Sequence, residues 1–153
     1  LVPEKRQDVT TEGGLDVGEK AAERIGNTLE RLHAVGIRTS LFIDPDPESV
    51  RRSADLGPTA VELHTGEYAN ARPGQEALDQ LGRLRAATEL ARGLGMAVHA
   101  GHGLTYENVI PVAAIPDLEE LNIGHSVVSR SVLVGMERAV REMKELILRA
   151  REG

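Results

Sequence analysis

The 153-residue sequence has no cysteine and no tryptophan, and its aromatic residues are only Phe42, Tyr68 and Tyr106. Without cysteine there is no disulfide, no thiolate metal site and no cysteine nucleophile, and the composition fits a cytoplasmic protein. So few aromatics leave no stacking platform for bases or sugars. The core must therefore be aliphatic. Long apolar runs are also missing, since none approaches the roughly 20 residues that span a bilayer. Positive charge is in deficit: 18 Lys and Arg stand against 24 Asp and Glu, a net charge of −6. That argues against nucleic-acid or anionic-membrane partners while leaving room for a small local anion site.

What is present is a repeat of strand, loop and helix. "LVPEK" reads as the end of a strand and "TTEGGLDVGEK" as a polar loop. A helix is predicted over 19–35, with Ile25, Leu29, Leu32 and Val35 on one face, ending at Gly36. Strands are predicted at 37–44, 59–66, 96–101 and within 118–125. A short helix with Pro47 in its first turn follows the first of these. A long helix over 74–94 carries Leu78, Leu81, Leu84, Leu90, Ala91 and Leu94, and Pro111 should bend or shorten a helix near 105–115. A last helix over 130–150 shows Val132, Leu133, Met136, Val140, Met143 and Ile147 at three- and four-residue steps. Repeated βα units imply a parallel sheet. Two architectures compete: an open, doubly wound α/β sheet, and part of a (βα)8 TIM barrel, which needs about 250 residues when whole. The chain reads as one domain over 1–153. It opens without methionine on what looks like a strand tail, as though it began inside a larger fold.

Each apolar run finishes in groups that can do chemistry: Asp44; Glu62, His64 and Thr65; His99 and Gly101-His102-Gly103; Asn122, Gly124 and His125. Parallel strands bring such ends to one edge, where α/β active sites form. His102 lies between glycines just beyond a strand, a place suited to proton transfer. His99 is either a packed core histidine or a member of the site. Glu62 is either half of a structural Glu–His pair or a carboxylate put to use, because burying it unpaired is costly. No metal site is expected, since no HExxH-type spacing occurs and any ligands would come from separate strands. "GHGLT" and "IGHSVVSRS" resemble anion sites, where small residues let backbone N–H groups approach a phosphate; each alone is also an ordinary turn. "TTEGGLDV" is either a plain loop or a hinged lid.

The strings "LVPEKRQDVTTEGGLDV", "SLFID", "VELHTGEYA", "AGHGLTYENV", "AAIPDLEELNIGHSVVSRSVLVG" and "AVREMK" together resemble the pyridoxine 5'-phosphate synthase family over essentially the whole chain. The resemblance implies a (βα)8 TIM barrel, of which this chain supplies a C-terminal portion of about five βα units, the N-terminal strands being absent. It implies condensation of 1-deoxy-D-xylulose 5-phosphate with 3-amino-2-oxopropyl phosphate to pyridoxine 5'-phosphate, phosphate and water, with no cofactor. It also implies a homo-oligomer, an octamer at full length. By the same resemblance His102 matches the catalytic proton donor and Glu62 the residue that stabilises the transition state. Thr10 matches a position that binds the deoxyxylulose phosphate. Gly103, Gly124 and His125 match positions that bind the aminoacetone phosphate, and "TTEGG" matches a loop that closes over the site. The family's "DHIA…R"-type motif and its general bases lie in the absent segment. The alternative reading is a non-catalytic half-barrel that binds a phosphate ester or associates with a partner chain. An unrelated open sheet would make the same strings coincidental turns.

Overall fold

Asp46 begins a helix because its carboxylate takes over two backbone donors that the helix cannot satisfy. Its Oδ1 accepts the N–H groups of Glu48 at 3.1 Å and Ser49 at 3.0 Å. The helix closes at Gly57, whose φ of 75° suits glycine. Local rules of this kind set most boundaries in the computed structural model, which describes residues 1–3 and 13–152. The element order is α1 (Glu19–His33), β1 (Ser40–Ile43), α2 (Pro47–Leu56), β2 (Ala60–His64), α3 (Gly66–Asn70), α4 (Gln75–Gly93), β3 (Ala97–Gly101), α5 (Val109–Ala113), β4 (Leu118–Asn122), α6 (His125–Val134) and α7 (Met136–Arg151).

All strand pairs are parallel, and the sheet order is β1-β2-β3-β4. A doubly wound sheet reverses its strand order and carries helices on both faces. Here the strands advance in one direction, so right-handed crossovers put the connecting helices α2, α4 and α5 on the same side. Residue burial agrees. Leu41, Ile43, Val61, Leu63, Val98 and Ala100 join Ile25 and Leu29 of α1, Val50 of α2 and Leu84, Ala87 and Ala91 of α4 in one core. This is an arc of a barrel wall, and among the described residues it does not close.

The opposite face of the sheet is the lumenal one. Register places Phe42, Glu62, His99 and Glu120 side by side there, with His64, Gly101 and Asn122 one layer higher. A β-bulge makes the last strand fit. Val98 pairs with Leu118 but His99 pairs with Glu120, so Glu119 is the extra residue. Leu118 and Leu121 are three apart, and without the bulge a strict alternation would send them to opposite faces. With it, both pack on the helical core and Glu120 and Asn122 face the lumen.

Three expectations change. Of five predicted strands, four form among the described residues. The first is predicted at "LVPEK", and Leu1–Pro3 form no strand although Leu1 lies along β1: its carbonyl accepts the Phe42 N–H at 3.0 Å. The rest of that segment lies outside the described residues, so the described chain holds four βα units rather than five. The single helix at 130–150 is two helices, broken at Gly135, where φ is 84° and ψ 149°. Glycine supplies a conformation that an L-residue strongly resists. Finally, apolar spacing overstated burial: Leu78, Val132 and Leu133 are exposed. Pro111 sits in the first turn of α5, where an N–H has no helical partner anyway, so the helix is short but regular.

Candidate active site

The carboxyl ends of the strands open onto a cleft of about 890 Å³. Glu62, His102, Gly103, Gly124 and His125 all border it, so the structure brings together five of the six residues singled out in the sequence. Thr10, the sixth, lies outside the described residues, as does most of the "TTEGG" loop. Among the described residues no cluster of three or more His, Asp or Glu could hold a metal ion, and no helix is long and apolar enough to cross a membrane.

Glu62 reaches its place across a notch in the sheet. A Cβ added at Gly101 would stand 2.5 Å from Glu62 Oε1 and 2.9 Å from the Asn122 carbonyl. Only a glycine at 101 lets the carboxylate pass over β3 towards Asn122. Burial raises the carboxyl's pKa above its ordinary value, and the Glu120 charge adds to this. A hydrogen bond from the Asn122 side chain and the neighbouring His99 oppose the rise without cancelling it. Glu62 therefore keeps its proton to a higher pH than an ordinary glutamate does, the kind of shift that clusters at functional sites. His99 is half-buried beside Glu62 in the register, while His64, the histidine that alternation places on the same face of β2, pairs with Asp44 through Nδ1 at 3.2 Å.

His102 sits at φ 84°, a left-handed conformation rare for a residue with a side chain. The bracing around it is extensive. The Thr65 N–H donates to the Gly101 carbonyl at 2.8 Å, and the Thr65 hydroxyl contacts the carbonyls of Gly101 and His102. Gly103 follows at φ 78°, and a Cβ there would lie 2.7 Å from Ala69 Cβ. Asn108 then closes the loop: its Oδ1 accepts the Thr105 N–H at 2.7 Å and its amide nitrogen donates to the Gly103 carbonyl at 3.2 Å. Tyr68 fixes Asn108 in turn, its hydroxyl donating to the Asn108 carbonyl at 2.8 Å. A non-glycine held in this region stores strain of about 1–3 kcal/mol, sustained by such surroundings and typical of functional sites.

The anion side of the cleft is built at the start of α6. Gly124 precedes the helix and His125 opens it, with no side chain capping the first N–H groups. Those donors and the helix dipole favour a negatively charged group. Ser126 couples this wall to the histidine loop, donating its hydroxyl hydrogen to the Leu104 carbonyl at 2.7 Å. Tyr68, Asn108 and Ser126 were missed in the sequence, because their work is bracing and the partners lie 22 to 40 residues away. Only the Asn108 contacts with Thr105 and Gly103 are local enough to have been legible.

The profile of the family described as "Pyridoxal phosphate biosynthesis protein PdxJ" matches residues 1–149. A pyridoxine 5'-phosphate synthase from Magnetococcus marinus is 53% identical over 151 residues, covering 98% of this chain and 61% of that protein. One from Synechocystis is 54% identical over 148 residues, covering 97% and 61%. The chain thus spans about three-fifths of the length of the curated relatives it matches. Among solved structures, a chain of the Amycolatopsis orientalis BexX/CysO complex superposes with a TM-score of 0.52 at 17% identity. The match covers 84% of this chain and 50% of that one, and at that identity it speaks for the fold alone.

Proposed function

The chain belongs to the PdxJ family of pyridoxal phosphate biosynthesis proteins, and from that premise we propose that, within a complete barrel, it acts as a pyridoxine 5'-phosphate synthase. The substrates are 1-deoxy-D-xylulose 5-phosphate and 3-amino-2-oxopropyl phosphate; the products are pyridoxine 5'-phosphate, inorganic phosphate and water. One observation carries the reading: a part-buried carboxyl, a histidine held at positive φ and an uncapped helix start all face one cleft.

The chemistry needs each of these. Imine formation, dehydration and ring closure move protons repeatedly to oxygens that leave as water. His102 delivers a proton to a departing oxygen, and Glu62 stabilises charge that develops in the ring-closing transition state. Gly103, Gly124 and His125 hold the phosphate of the aminoacetone substrate through backbone N–H groups and the imidazole. Thr10 binds the deoxyxylulose phosphate. Closure of the loop carrying Thr10 keeps water from the imine. The protein works in the cytoplasm as a homo-oligomer, an octamer at full length, and needs no metal or organic cofactor.

The test supplies both phosphate esters to the full-length protein and follows the pyridine product by absorbance and fluorescence, with phosphate release measured in parallel. The expected result is product and phosphate in equal amounts. Binding of either ester without product would favour the non-catalytic, ester-binding reading.

A further inference from the structure

We propose that Asp44 and His64 are positioning residues that tie the turn at Gly13–Gly14 to the imidazole of His102. The proposal rests on the reading of His102 as the proton donor of the synthase site.

One carboxylate oxygen makes both connections. Asp44 follows the last residue of β1, and its Oδ1 accepts the Gly14 N–H at 2.8 Å and a proton from His64 Nδ1 at 3.2 Å. Gly14 lies directly against the strand end: a Cβ there would stand 2.2 Å from the Asp44 nitrogen. The next residue continues the attachment, since the Leu15 N–H donates to the Phe42 carbonyl at 2.7 Å. This segment is therefore pinned to β1 four residues after Thr10 in the sequence.

The other half concerns the ring. His64 is 9% exposed and lies between Phe42 and His102, with ring centroids 5.2 and 5.0 Å away, both tilted by 58°. Gly66 floors the same pocket, because a Cβ there would lie 2.5 Å from His64 Nε2. A carboxylate only accepts, so the bond to Asp44 requires the proton on Nδ1. Nε2 is buried without a hydrogen-bond partner among the described residues. The hydrogen bond to Asp44 and these packed surfaces therefore set the orientation of the ring against which His102 rests. Asp44 is half-exposed, and an ion pair that open contributes little to folding. Its value lies in geometry, where small misplacements of a reacting group can cost on the order of a hundredfold in rate.

The experiment uses the full-length protein with Asp44→Ala, His64→Leu and the pair together. Asp44→Ala should lower kcat by roughly tenfold to a hundredfold and raise KM for the deoxyxylulose phosphate. His64→Leu should lower kcat alike and leave that KM in place. The double variant should have the kcat of His64→Leu, because Asp44 acts on kcat through His64. With histidines labelled by 15N, two-bond correlation spectra should show the proton on Nδ1 of His64 and its displacement to Nε2 in Asp44→Ala, together with shifted imidazole signals of His102. Unchanged kcat in folded single variants, or losses that multiply in the double variant, would overturn the proposal. So would a wild-type His64 without a proton on Nδ1. Should the wild type make no product, the functional reading falls. The spectra still decide whether Asp44 sets the two rings, and unmoved His102 signals would overturn that claim. Should His64→Leu fail to fold, His64→Gln carries the same comparison.

Discussion

Glu62 shows how one side chain can link folding to chemistry. Burial comes first among the causes that raise its pKa, so its protonated form is favoured in the folded protein relative to the unfolded chain. The linkage has a definite sign. The contribution of such a group to stability is complete below the ordinary value of 4.5 and is lost as pH rises through the raised one. Glu62→Gln keeps the neutral shape and cannot ionise. Urea unfolding at stepwise pH should therefore show wild-type stability falling relative to Glu62→Gln above pH 4.5, with a constant difference below it. Parallel curves across the range would mean that the carboxyl is not desolvated as described. Gly101 belongs to the same argument, because the notch it leaves lets the carboxylate reach Asn122.

Gly135 sets the geometry of the chain's end. It separates α6 from α7 at φ 84° and ψ 149°, and its N–H still closes α6 by donating to the Ser131 carbonyl at 2.8 Å. The two helices are then held together by side chains. Arg130 lies over Tyr106, 5.1 Å from the ring centroid, and donates to Glu142 at 2.5 Å. Tyr106 donates to the Ala139 carbonyl at 2.7 Å. Arg130, then Arg138, holds the Glu142 carboxyl down to about 2, so this pairing persists until quite acid pH. Nothing lies within 4 Å of a Cβ at Gly135, so a substitution there meets strain rather than collision. Gly135→Ala should cost about 1–3 kcal/mol, read from urea unfolding. A cost near zero would show that the joint is not fixed at positive φ. The break was hard to see in the sequence because the three- and four-residue apolar steps continue across it, from Val132 and Leu133 to Met136 and Val140.

At the scale of the whole molecule, the one-directional sheet order decides between a barrel wall and a doubly wound sheet. The βα rhythm was legible because parallel strands and their helices each carry their own apolar period. The strand-end positions of Glu62, His102, Gly124 and His125 were legible for the same reason. The bulge at Glu119 and the lumenal layer it creates depend on pairing with β3 and were not. An arc of four strands leaves the outer edge of β4 unpaired among the described residues, and Val128, Val132, Leu133 and Met136 stand exposed on α6 and α7. Unpaired edges beside apolar surface promote association. The 153-residue chain alone should therefore elute from size exclusion as associated species, and a sharp monomer with cooperative unfolding would contradict that.

The central claim is that His102 gives up the proton on which turnover depends. The most direct measurement is the rate of pyridine product formation by full-length His102→Asn beside the wild type, with thermal unfolding of both. Asparagine tolerates positive φ, so the loop should hold its shape. The account expects turnover to fall about a hundredfold or more at an unchanged melting temperature. Turnover equal to wild type would remove His102 from its role and contradict the account.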